Sequence, residues 1–130
     1  MLGACVVALV AAACITPGTK QGLETVGGAQ DVEVQAKLRQ AAAAAHVYEA
    51  ENGTLSGFNA SAAAQIEPSV TWTDGPASAG QVSIRGATEA DVALVSMSSS
   101  GQVYCIGVKA PVDSLGKVDA VSAAQCTGGW

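Results

Sequence analysis

Aromatic side chains make up 4% of this 130-residue chain, charged side chains 13%, and there is one histidine. The aromatic scarcity leaves Ala, Val and Gly to supply an apolar content of 49%. A core of such small side chains buries little area per residue, so a thin core on modest elements is expected. The scarcity of charge, with a net −5, argues against a basic nucleic-acid surface. The six cations are scattered as Lys20, Lys37, Arg39, Arg85, Lys109 and Lys117.

Chemistry is also missing. His46 has no Cys or His at metal-ligand spacing, and no Ser or Cys is placed to make a nucleophile–histidine arrangement. It lies beside an apolar helical stripe and reads as a structural histidine. Asp31 and Glu33, like Glu49 and Glu51, stand two apart on a helix and point to different faces, so neither pair can share a metal. The acidic turns "DGPASAG" and "GATEAD" lack the ligand spacing of a calcium loop. No glycine-rich loop opens a helix as a phosphate site requires. The expectation is a protein that is not an enzyme and uses no cofactor or metal.

What is present begins with "MLGACVVALVAAACIT", sixteen residues without a charge. The run is shorter than the roughly 20 residues that span a bilayer. No Lys or Arg precedes it, which departs from a secretory signal. Three readings stay open: a membrane-resident helix of a mature chain, a signal peptide, or a lipoprotein signal ending in "VAAAC" that lipidates Cys14. Gly3, Ala4, Ala8, Ala11, Ala12 and Ala13 would let apolar helices approach closely. Pro17 and Gly18 then break the helix or extend it locally, and Gly22, Gly27 and Gly28 make a soft joint. Residues 1–28 are therefore read as a hydrophobic segment with a joint, and 29–130 as a globular head.

From Gln30 the periodicity predicts a long amphipathic helix. Val34, Leu38, Ala41, Ala45 and Tyr48 recur at spacings of four, three, four and three and line one face for packing on a sheet. Glu33 and Lys37 stand at i, i+4 in the favoured order. Asn52-Gly53 supplies a left-handed stop. A short helix follows in "NASAAAQIEP", capped by Asn59 or Ser61 and closed before Pro68. Four strands are expected at Val70–Thr73, Gln81–Arg85, Asp91–Met97 and Gln102–Val108, the last two as an antiparallel hairpin around "SSSG". The tail from Lys109 reads as irregular. Helices first and an antiparallel sheet second make an α+β fold.

Cys105 and Cys126 read as a disulfide closing a loop of about twenty residues and contributing roughly 3 kcal/mol, with two buried thiols as the alternative. A disulfide would place this half outside the cytoplasm. Tyr48, Phe58, Trp72 and Tyr104 read as core or helix–sheet contacts. Trp130, after "TGG", reads as packed on a neighbour or exposed. Asn52-Gly-Thr54 and Asn59-Ala-Ser61 match the glycosylation acceptor pattern, and "SMSSSG" is an equally good sugar site.

The stretch "AQDVEVQAKLRQAAAAAHVYEAENGTLSGF", continued by "AAAQIEPSVTW" and "SGQVYCIGV", resembles the type IV pilin family. Pilins of Gram-positive bacteria, with their "LR.A...A..Y...NG.Y.GF" passage, are the nearest match, over roughly residues 29–130. The resemblance implies an extracellular filament subunit that polymerises with copies of itself and is membrane-inserted before assembly. Adhesion or motility would follow from the filament. Met1, Leu2, Val6, Val7, Leu9, Val10 and Ile15 would form the filament core, with Pro17 and Gly18 as the helix break. Such pilins also carry a C-terminal cystine where Cys105 and Cys126 fall. The family's glutamate at the fifth mature position is replaced by Cys5, or by Ala8 if processing follows Gly3. Two alternatives accompany this reading: a minor pilin or pseudopilin of a secretion or DNA-uptake machine, and a surface-anchored binding domain.

Overall fold

The computed structural model describes residues 21–130, with side chains from residue 31 onward. Met1, Leu2, Val6, Val7, Leu9, Val10, Ile15, Pro17 and Gly18 lie outside the described residues, as do Cys5 and Cys14. Helix α1 spans Gln21–Asn52 and α2 spans Ala60–Ile66. The strands are β1 (Trp72–Thr73), β2 (Val82–Arg85), β3 (Val92–Met97), β4 (Val103–Val108) and β5 (Ser114–Gly116), followed by a 3₁₀ turn at Ala123–Gln125. The class is α+β. No helix among the described residues is long and apolar enough to cross a membrane.

α1 begins before Gln30 and runs through Gly22, Gly27 and Gly28, the glycines expected to make a soft joint. Each glycine costs about 1 kcal/mol in a helix, a penalty that the flanking helix formers outweigh. The helix stops as expected: Gly53 takes φ +75° and donates its N–H to Glu49 O at 2.7 Å. Asn59 Oδ1 accepts the Ala62 N–H at 2.9 Å and so caps α2. Among the described residues the ion pairs within 4 Å are His46–Asp113 and Arg85–Asp119, so Glu33 and Lys37 form none.

The sheet has five strands in the order β1-β2-β3-β4-β5, one more than expected, and it is mixed. β1 runs parallel to β2, so "DGPASAG" is a short crossover and not a hairpin turn. β5 lies in the tail that read as irregular, pairing Leu115 with Ile106 and Gly116 with Cys105. Its three residues are too few for a period of two to register.

Both faces of the sheet are covered, which explains why β3 and β4 are almost continuously buried. On one face Val82, Ile84, Val92, Leu94, Tyr104, Ile106 and Val108 share a cluster with Val34, Leu38, Ala41 and Ala45 of α1. On the other, Ala93, Val95 and Cys105 pack with Ala120 and Cys126 of the tail. Gly107 makes room for that tail, since a Cβ there would stand 2.8 Å from Ala123 O. Two buried hydroxyls inside the sheet are satisfied: Ser96 Oγ donates to Gln81 O at 2.6 Å, and Ser83 Oγ donates to Gly75 O.

Tyr104 is buried on the helix face, and burial pushes its hydroxyl pKa up, aided by hydrogen bonding and repulsion from Asp31. The folded state therefore favours the neutral phenol. That stability is fully present below the unfolded value of about 10 and is lost as pH rises toward the higher folded value. The urea midpoint should fall above about pH 10, and Tyr104→Phe should make the fall shallower. An unchanged slope in the variant would show that Tyr104 does not carry the effect.

Candidate functional site

The residues expected to pack α1 on the sheet do meet it. Val34, Leu38, Ala41 and Ala45 are buried, and Tyr48 is half-buried against the same cluster. Tyr48, Phe58 and Trp72 form an aromatic row, with ring centroids 5.3 and 5.9 Å apart. Cys105 and Cys126 are bonded, with Cα atoms 5.9 Å apart.

Trp130 packs on its own chain, contrary to the expectation of a neighbour contact or full exposure. Its Nε1–H is shared between Cys105 O at 3.1 Å and Gly116 O at 3.0 Å. Its ring meets Tyr104 edge-on, with centroids 5.9 Å apart. The tail thus starts from Cys126 on one sheet face and passes the β5 edge, where Gly129 N–H donates to Leu115 O at 2.8 Å. It ends with Trp130 against the cluster on the helix face. This wrap also covers the unpaired edge of a short strand.

Arg39 lies over the Trp130 ring, its guanidinium carbon 4.8 Å from the centroid. It marks one end of an open groove of about 740 Å³ between α1 and the β4–β5 connection. Ala42 and Ala43 line one side, Ile106 and Leu115 the other, and Pro111 and Val112 form a lip. Val112 is 68% exposed there. His46, Glu49, Lys109 and Asp113 supply the polar lining.

Asp113 is occupied twice. Its Oδ2 meets His46 Nε2 at 2.9 Å, and its Oδ1 accepts the Lys109 backbone N–H at 3.2 Å. His46, read from sequence as a structural residue, therefore joins α1 to the strap 109–113. Arg39 and Lys109 have no carboxylate within 4 Å among the described residues. No group of three His, Cys, Asp or Glu side chains among those residues is arranged to hold a metal.

The groove was not legible in the sequence, because Asp113 and Lys109 belong to a loop that carries no periodicity. Trp130 carried a usable signal: it stands four residues beyond Cys126, so the cystine tethers it near Cys105. No protein-family model, curated protein or solved structure matches this chain.

Proposed function

We propose that the chain is a structural subunit of an extracellular type IV pilus-like filament, polymerising through its apolar N-terminal segment. The observation that carries this reading is the order of the parts. A charge-free run is followed by a 32-residue helix, whose later turns are buried on a sheet closed by a C-terminal cystine. A subunit that exchanges a membrane for a polymer needs an apolar segment to bury and a stable body to display. An uncharged run with Gly3, Ala4, Ala8 and Ala11 allows close helix packing, and head-to-tail contacts that do not close generate a filament. On this reading Met1, Leu2, Val6, Val7, Leu9, Val10 and Ile15 form the polymer core, the partners are copies of the same chain, and catalysis plays no part. A minor pilin or pseudopilin would share this body and form shorter assemblies.

The groove beside Arg39 favours a second reading, a surface-anchored binding domain whose apolar run is a signal or carries lipid on Cys14. Electron microscopy of a sheared surface fraction, with mass spectrometry of the intact subunit, separates the two. Filaments built of a chain that retains residues 1–13 support the first. A diacylated chain starting at Cys14, with no filaments, overturns it.

A further inference from the structure

We propose that the α1 groove binds the C-terminal end of a short apolar peptide, with Arg39 holding the peptide carboxylate. The inference rests on the groove, and holds whether the chain polymerises or acts singly.

Charge placement comes first. The chain is net −5, yet the groove brings together two cations, Arg39 and Lys109, that have no ion-pair partner among the described residues. Of its two carboxylates, Asp113 is spent on His46 and on the Lys109 backbone. Glu49 stands ten positions along α1 from Arg39, a rise of about 15 Å at 1.5 Å per residue, too far to neutralise it. A carboxylate at the Arg39 end would therefore meet a cation that no carboxylate within 4 Å already neutralises among the described residues.

Arg39 is also held in position. Its guanidinium carbon sits over the Trp130 ring, a cation–π contact that favours this placement and leaves N–H groups able to form a two-pronged bond to a carboxylate. Trp130 cannot turn away readily, because two backbone carbonyls share its Nε1–H and Tyr104 backs its ring. Little order is left to be gained on binding, which favours affinity.

The floor then selects the ligand. Ala42, Ala43, Ile106 and Leu115 offer shallow apolar contact suited to small side chains. Lys109 can donate to peptide carbonyls and Glu49 can accept from peptide N–H groups along the same groove. A fatty acyl chain would cover these polar groups without replacing their water, at the full cost of desolvation. About 15 Å holds four or five extended residues at roughly 3.3 Å each.

The test uses the full chain in nonionic detergent micelles and the probe acetyl-Ala-Val-Ala-Val with a free C-terminus. Titration is followed by the NMR shifts of the Arg39 Nε–H and Trp130 Nε1–H resonances. The C-terminal amide of the same peptide and Arg39→Gln should each weaken binding about tenfold or more, the loss expected for a charged hydrogen bond. Arg39→Lys should fall between. Arg39 is exposed, so the variants should fold, which the spectra report directly. Equal binding of acid and amide, no binding of either, or binding of octanoate as tight as the peptide would each overturn the proposal.

Discussion

Leu38→Ala should lower the unfolding free energy by roughly 2–5 kcal/mol, in the upper part of the range for single core substitutions. Leu38 is fully buried and is among the largest fully buried side chains. Its neighbours on the same stripe are Val34, Ala41, Ala42 and Ala45, which are too short to swing into the space left behind. Across the seam stand Leu94, Tyr104 and Ile106, anchored in paired strands that cannot slide toward the helix. The cavity would therefore stay largely open, and the cost rises with residual cavity volume. Urea unfolding followed by circular dichroism measures it. A loss below about 1 kcal/mol would mean that α1 is not a principal wall of the core. Val34→Ala, at the edge of the same stripe and 7% exposed, should cost less.

That stripe was the most legible part of the fold. A helix that packs by one face must repeat its apolar positions near 3.6 residues, and Val34 to Tyr48 do so without tertiary information. The hairpin of β3 and β4 was legible for a similar reason: two β-branched runs flank "SSSG", and the register pairs Met97 with Val103 across it. The parallel pairing of β1 was hidden, because direction is set by where Val82 N–H finds its acceptor, Thr71 O at 2.8 Å. β5 was hidden by brevity. The groove was hidden because it joins Arg39 and His46 to residues some seventy positions later, a proximity created by the strand order alone. Trp130 was misread because its position after two glycines suggested a free end, whereas Gly128 and Gly129 adopt φ of +100° and +80° and turn the chain back over β5.

Replacing both Cys105 and Cys126 by alanine should cost roughly 2–5 kcal/mol and, more tellingly, should detach the tail. The cystine closes a 21-residue separation, so its loss frees the unfolded chain by an amount that grows with loop length. In the folded state the consequence is local. Between Cys126 and Trp130 lie three residues, two of them glycines, held along the backbone by the antiparallel bridge of Gly128 to Gly116 and its Gly129 N–H to Leu115 O bond. Without the cystine, Trp130 must stay seated through its shared Nε1–H, one edge-on aromatic contact and the Arg39 guanidinium over its ring, each worth about 1 kcal/mol. Tethering raises the effective concentration of the ring at its seat, and removing the tether lets that modest binding compete with chain entropy. Hydrogen exchange should thus quicken at Gly129 and at the Trp130 indole while β3 and β4 stay protected, since the buried residues of their helix-face cluster come from α1, the segment after it and the sheet, and Trp130 only packs against that cluster from outside. Arg39 would lose the surface it lies on, and the groove would lose its positioned cation without any change on α1. If the double variant loses stability yet Gly129 and Trp130 keep their protection, the tail is held by its own contacts and the cystine acts through the unfolded state alone.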